Sequence, residues 1–154
     1  MKNMYGKEIH FPEDVYYSEG LLWVKDLGKN RFRLGVSDLG VKSVKDLVFV
    51  KISPRKGAKV TKGESLGYIE TTKGVWDVVT PLSGTVVEIN PPVAQGNANP
   101  IYDEPYGKGW LVELEASDAG SALKALRKGS DAATKKWFFE KVEELVPLME
   151  EAED

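Results

Sequence analysis

From Leu22 to Leu114 the chain alternates short runs of Val, Ile, Phe, Tyr and Trp with Gly, Pro, Asn and Asp, the grammar of an all-β domain. The runs predict strands over residues 22–25, 31–36, 47–52, 65–70, 75–80, 85–89 and 110–114. Phe32, Leu34 and Val36 occupy every second position, which assigns them to one buried face and leaves Arg31 and Arg33 to water. Gly28-Lys29-Asn30, Gly57, Gly63 and Ser83-Gly84 punctuate the strands as turns. Ser37-Asp38 carries side-chain acceptors suited to cap a short helix before Leu47. Residues 90–109 hold Pro91, Pro92, Gly96, Pro100, Pro105, Gly107 and Gly109 without periodicity and read as one long loop, a kind that is often functional.

Beyond Leu114 the pattern turns helical. Ser117 and Asp118 are placed to cap a segment through Leu123 and Leu126, with Gly129 placed to end it. A second helix is expected from Ser130 or Asp131, with Phe138, Val142, Leu145 and Met149 on the face that docks on the β domain, and a kink or break at Pro147. The fold class expected is therefore mainly β with C-terminal helices.

Length and composition narrow the function. A chain of 154 residues fits one domain and at that size buries roughly 68–70% of its unfolded surface, enough to fold without disulfide or metal. Its 21 basic and 24 acidic residues are interspersed to a net charge of −3, which gives no footprint for nucleic acid or an anionic membrane. No stretch approaches the about 20 apolar residues of a membrane span, and the first ten residues lack a signal-peptide core, so a cytoplasmic location is the default. There is no cysteine, which excludes thiolate metal sites and cysteine nucleophiles. His10 is the only histidine, so a multi-histidine metal site is impossible and a catalytic triad has poor prospects. No spacing assembles nucleophile, base and orienter, so an enzyme is not expected.

The chemistry concentrates at Ser65 to Glu88, where Glu70-Thr71-Thr72-Lys73-Gly74 falls between two strands and Pro81-Leu82-Ser83-Gly84 precedes a third. Thr71 to Gly74 are expected to form a hairpin turn with Lys73 at its tip, Gly74 supplying a conformation that a β-branched residue resists. An exposed lysine is ordinarily no more than a solvated charge. Here, however, an acidic-Thr-x-Lys-small tip followed by Pro-x-Ser-Gly resembles the modification hairpin of lipoyl domains and glycine cleavage H proteins. Leu22-Trp23-Val24, Leu34-Gly35-Val36-Ser37-Asp38, Asp46-Leu47-Val48-Phe49-Val50, Gly63-Glu64-Ser65-Leu66-Gly67, Ser83 to Asn90, and Asp103-Glu104-Pro105-Tyr106-Gly107-Lys108-Gly109-Trp110-Leu111 are similar to successive H-protein segments in their usual order.

The resemblance implies a barrel-sandwich hybrid of two small antiparallel sheets, a lipoyl-type β domain over 15–115 with a helical segment over 117–152 packed on it, all in one domain. It implies lipoate attached to Lys73, with Glu70, Thr72, Gly74, Trp76 and Asp77 around the cofactor. The implied partners are a lipoate ligase or lipoyl transferase, glycine decarboxylase, an aminomethyltransferase and dihydrolipoamide dehydrogenase, between which the arm shuttles an aminomethyl group while the protein itself catalyses nothing. Departures from the family are Leu21-Leu22 in place of a polar-acidic pair before Trp23, Ser43 where histidine is common, Thr72 for valine and Gly74 for alanine. They leave open a related lipoate carrier of another pathway, such as sulfur oxidation with heterodisulfide-reductase-like partners. A biotin carrier is disfavoured, because biotinyl lysines are typically flanked by methionines. A purely structural interaction module is what remains if Lys73 is never acylated.

Overall fold

The alternation at Phe32, Leu34 and Val36 becomes the centre of a sheet, and all three side chains are buried. In the computed structural model the backbone is described over residues 2–4, 7–44 and 46–153, and side chains over 9–44 and 46–145. In chain order the elements are β1 (Lys2–Met4), β2 (Lys7–Ile9), β3 (Tyr16–Tyr17), β4 (Leu22–Gly28), β5 (Arg31–Val36), α1 (Asp38–Val44), β6 (Leu47–Ile52), β7 (Lys59–Val60), β8 (Ser65–Thr71), β9 (Gly74–Val79), β10 (Gly84–Ile89), α2 (Pro91–Ala94), α3 (Asn99–Asp103), β11 (Val112–Ala116), α4 (Ala119–Lys124), β12 (Arg127–Lys128) and α5 (Ala132–Glu153).

Two antiparallel sheets build the body, one ordered β12-β3-β4-β5-β11-β10-β7 and one ordered β6-β8-β9, while β1 and β2 form a separate ribbon. The larger sheet exceeds the small one expected because three two-residue strands, β3, β7 and β12, extend it; strands that short carry no readable alternation. Between the sheets lies the main core, with Leu22, Val24, Phe32 and Leu34 from one and Val50, Leu66, Ile69 and Val78 from the other. A second core joins Ile9, Phe11, Val15, Tyr17, Trp23 and Leu39 to Phe138 and Val142 of α5.

Several expectations are corrected. The last long strand runs over Val112–Ala116, not 110–114, because Leu111 already hydrogen-bonds Leu34 through its amide while the ladder with β5 begins at Val112. Residues 90–109 are not one loop. Prolines at the first turns of α2 and α3 preset the helical backbone angle and lack an amide that would go unused there, so residues read as breakers start these helices. Asp118 does cap α4, accepting from the Ser121 amide at 3.1 Å. The helix ends at Lys124, ahead of Gly129. Gly129 serves a close approach instead: its amide donates to the Val15 carbonyl, and a Cβ there would lie 2.3 Å from that oxygen. α5 runs as one element across Pro147, where a kink or break was expected, so the break does not occur. Met149 lies outside the described side chains.

Candidate functional site

The hairpin of β8 and β9 pairs Thr71 with Gly74, Glu70 with Val75, Ile69 with Trp76 and Tyr68 with Asp77, leaving Thr72 and Lys73 as a two-residue loop. Neither loop residue has a positive φ, unlike Lys29 and Asn30 (53° and 64°) in the primed turn between β4 and β5. The left-handed requirement falls instead on Gly74, at φ 152°, a value that favours glycine.

Thr71, not Thr72, fastens this turn. Its hydroxyl accepts from the Lys73 amide at 3.2 Å and donates to the Gly74 carbonyl at 3.2 Å, a side-chain-capped turn that brackets the lysine on both sides. The signal was present in sequence as a threonine two residues before Lys73, the spacing at which a hydroxyl reaches an i+2 amide. Thr72 makes no side-chain hydrogen bond among the described residues. Lys73 is exposed, and its ammonium makes no ion pair among them.

Strand alternation then sorts the other expected site residues onto two sides. Trp76 turns inward, partly buried against the main core, and with Ser43, Val44, Thr71, Lys73, Gly74 and Val75 it lines a shallow open groove of about 220 Å³ between the end of α1 and the tip. Glu70 and Asp77 lie outside this groove, on the exposed face of the three-stranded sheet, where the Ser65 hydroxyl donates to Asp77 at 2.6 Å. The tip thus joins Lys73, Gly74 and Trp76, whereas the two carboxylates belong to a separate surface. Ser43 reaches the groove because Ser37 caps α1 through the Gly40 amide, which starts the helix two residues after β5 ends.

A clasp at the other end fixes α1. Asp38 accepts the His10 amide at 2.7 Å and the Lys42 ammonium at 3.1 Å, while Tyr106 accepts the Asp38 amide at 2.9 Å and donates to the His10 carbonyl at 3.0 Å. Burial raises the Tyr106 phenol well above its ordinary value, so it stays a neutral donor. Tyr17, whose hydroxyl donates to the Pro12 carbonyl at 2.6 Å, is raised by burial in the same way.

No cluster of three or more His, Cys, Asp or Glu able to hold a metal occurs among the described residues, and no described helix is long and apolar enough to cross a membrane. Chemically, the arrangement presents one solvated primary amine on a rigid support beside a groove with apolar walls.

Comparison with known proteins agrees with this geometry. The family model for the glycine cleavage H-protein matches residues 15–137. The glycine cleavage system H protein of Mycobacterium avium is 37% identical over 121 residues, covering 79% of this chain and 90% of the relative; that of Mycolicibacterium gilvum is 40% identical over 121 residues, covering 79% and 90%. The crystal structure of a glycine cleavage system H protein from Mycobacterium marinum superposes with a TM-score of 0.69 at 32% identity, covering 81% of this chain and 98% of that one. These relatives do not favour the sulfur-oxidation alternative. The chain belongs to the glycine cleavage H-protein family.

Proposed function

We propose that this protein is the lipoyl carrier of a glycine cleavage system, with lipoate joined in amide linkage to Lys73. The observation that carries the reading is the exposed Lys73 on a two-residue turn held by Thr71. When bound, lipoate supplies a dithiolane that can be reduced, loaded with an aminomethyl group and reoxidised. The chain's own residues anchor and present it. Thr71 and Gly74 fix the direction in which Lys73 leaves the turn, and Val44 and Trp76 offer apolar surface along the groove to a hydrocarbon arm. Tethering raises the arm's effective concentration at each docked partner.

Attachment requires an activated lipoyl carboxyl from a ligase or lipoyl transferase. The neutral amine attacks the carbonyl carbon, the amide C–N bond forms, the activating group leaves with its bonding electrons, and Nζ loses two protons relative to the ammonium. Lys73 is exposed, so its Nζ is open to an activated carbonyl brought from solvent. The partners in this reading are glycine decarboxylase, aminomethyltransferase and dihydrolipoamide dehydrogenase, the location is cytoplasmic, and the carrier performs no catalysis itself.

Incubation with lipoate ligase, lipoate and ATP is expected to add one lipoyl group by intact mass, and none to Lys73→Arg. An unchanged parent mass with an active ligase defeats the reading. Lipoylated protein that fails to support glycine decarboxylation with the cognate enzymes removes the pathway and leaves the carrier.

A further inference from the structure

Ladder register puts six side chains on the outward face of the three-stranded sheet in two complete rows. Phe49, Glu70 and Val75 form the row next to the tip, and Lys51, Tyr68 and Asp77 the next. Phe49 is 37% exposed and Val75 68%. Phe49 also contacts the Tyr68 ring, 6.3 Å between centroids, so the two rows share one aromatic surface. In an antiparallel sheet the opposite face is the one that enters the core, as Val50, Ile69 and Val78 do here, so apolar side chains on the outward face contribute nothing to packing between the sheets.

We propose that this face seats the enzyme that acylates Lys73, an inference that rests on the carrier reading above. Reach selects this occupant. The acylating enzyme has to bring an activated carbonyl to Nζ itself, which stands only about 6 Å from the turn backbone even with the lysine extended. It therefore cannot avoid the first row, whose Val75 is two residues from Lys73. Enzymes that work on the distal end of a loaded arm act a full arm length further out and need no such contact. Area argues against a second copy of the chain: three strands by six residues cover about 280 Å², against roughly 800 Å² per partner in a stable interface. A patch of that size suits a transient enzyme and substrate encounter. Acylation also removes the Lys73 charge at the edge of the patch, so substrate and product differ electrostatically where the enzyme touches them.

The test is steady-state acylation by lipoate ligase with lipoate and ATP, titrating the parent, Val75→Ser, the double variant Tyr68→Ser/Val75→Ser, and Leu27→Ser. Leu27 is 39% exposed on β4 of the other sheet and serves as control. Thermal unfolding checks that each is folded, and Val75→Ser alone serves if the double variant is not. The expected result is KM for the carrier raised roughly tenfold in the double variant with kcat unchanged, a smaller rise in Val75→Ser, and no change in Leu27→Ser. An unchanged KM overturns the proposal, as does a loss confined to kcat, which signals a disturbed tip, or parent dimerisation that the double variant abolishes. A parent that gains no lipoyl group at all defeats the carrier reading instead, so the two failures are distinguishable.

Discussion

Two residues with no chemistry of their own carry local structure, Thr71 at the tip that presents Lys73 and Gly35 against a buried indole. Removing the Thr71 hydroxyl in Thr71→Val deletes both hydrogen bonds that bracket Lys73. These bonds are exposed, so the cost is about 0.5–1.5 kcal/mol of stability, with slower acylation because the amine loses its fixed direction. Thr71→Ser is expected to restore both in thermal unfolding and ligase assays; equal loss in Val and Ser variants would show that the methyl, not the hydroxyl, matters. The second residue is Gly35, paired with Trp23 across β4 and β5. A Cβ there would lie 2.5 Å from the indole, which is buried and held by its Nε1 donating to the Pro105 carbonyl at 2.8 Å. The ring has no room to yield, so Gly35→Ala is expected to destabilise by about 1–3 kcal/mol in urea unfolding, while the folded fraction is acylated normally because the tip is elsewhere.

Among the elements, β5 and β11 share an ionic crosslink that the sequence reading of Arg31 and Arg33 as simply water-facing did not contain. Both guanidiniums bind the buried Glu113 carboxylate, at 2.7 Å and 2.6 Å. Burial alone would raise the Glu113 carboxyl, but the hydrogen bonds from Arg33 and Arg31 outweigh it and hold the carboxyl below its ordinary value of 4.5. With the folded value depressed, the unfolded chain binds the extra proton in the window between the two. The contribution is therefore complete above pH 4.5 and lost as pH falls through the folded value. Glu113→Gln is expected to cost about 1–2 kcal/mol at neutral pH, moderated because the arginines stay half in water. It is also expected to flatten the acid limb of the stability profile, and a variant whose acid limb matches the parent's would exclude Glu113 as its source. Sequence spacing gave neither partner, because Glu113 lies about 80 residues from both arginines and is brought beside them only by the β5–β11 ladder.

At the scale of the molecule, α5 completes a second core that the β domain cannot close alone. Phe138 packs at a tilt against Phe11 and Tyr17, at centroid distances of 4.8 Å and 5.4 Å, and the same cluster holds Trp23 and Leu39. Leu39 belongs to α1, whose far end lines the groove beside Lys73. We propose from this continuity that residues 1–154 unfold as one unit. Phe138→Ala is expected to cost about 3–5 kcal/mol and to lower one transition seen alike by circular dichroism and tryptophan fluorescence. A second, separate transition would instead mark the helical segment as independent.

The alternation of apolar residues determined the seven longer strands, because a side-chain period of two leaves only one register that buries an amphipathic strand. Local chemistry placed Lys73 at a tip, Ser37 and Asp118 at helix starts, and α5 against the β domain. Tertiary structure alone decided which distant groups meet. The ladder set Glu70 and Asp77 on one surface and Trp76 on another, packing carried Ser43 and Val44 to the tip, and backbone proximity gave Gly129 its role. Two-residue strands were unreadable for a related reason: they are made by the partner strand's hydrogen bonds, not by any pattern of their own.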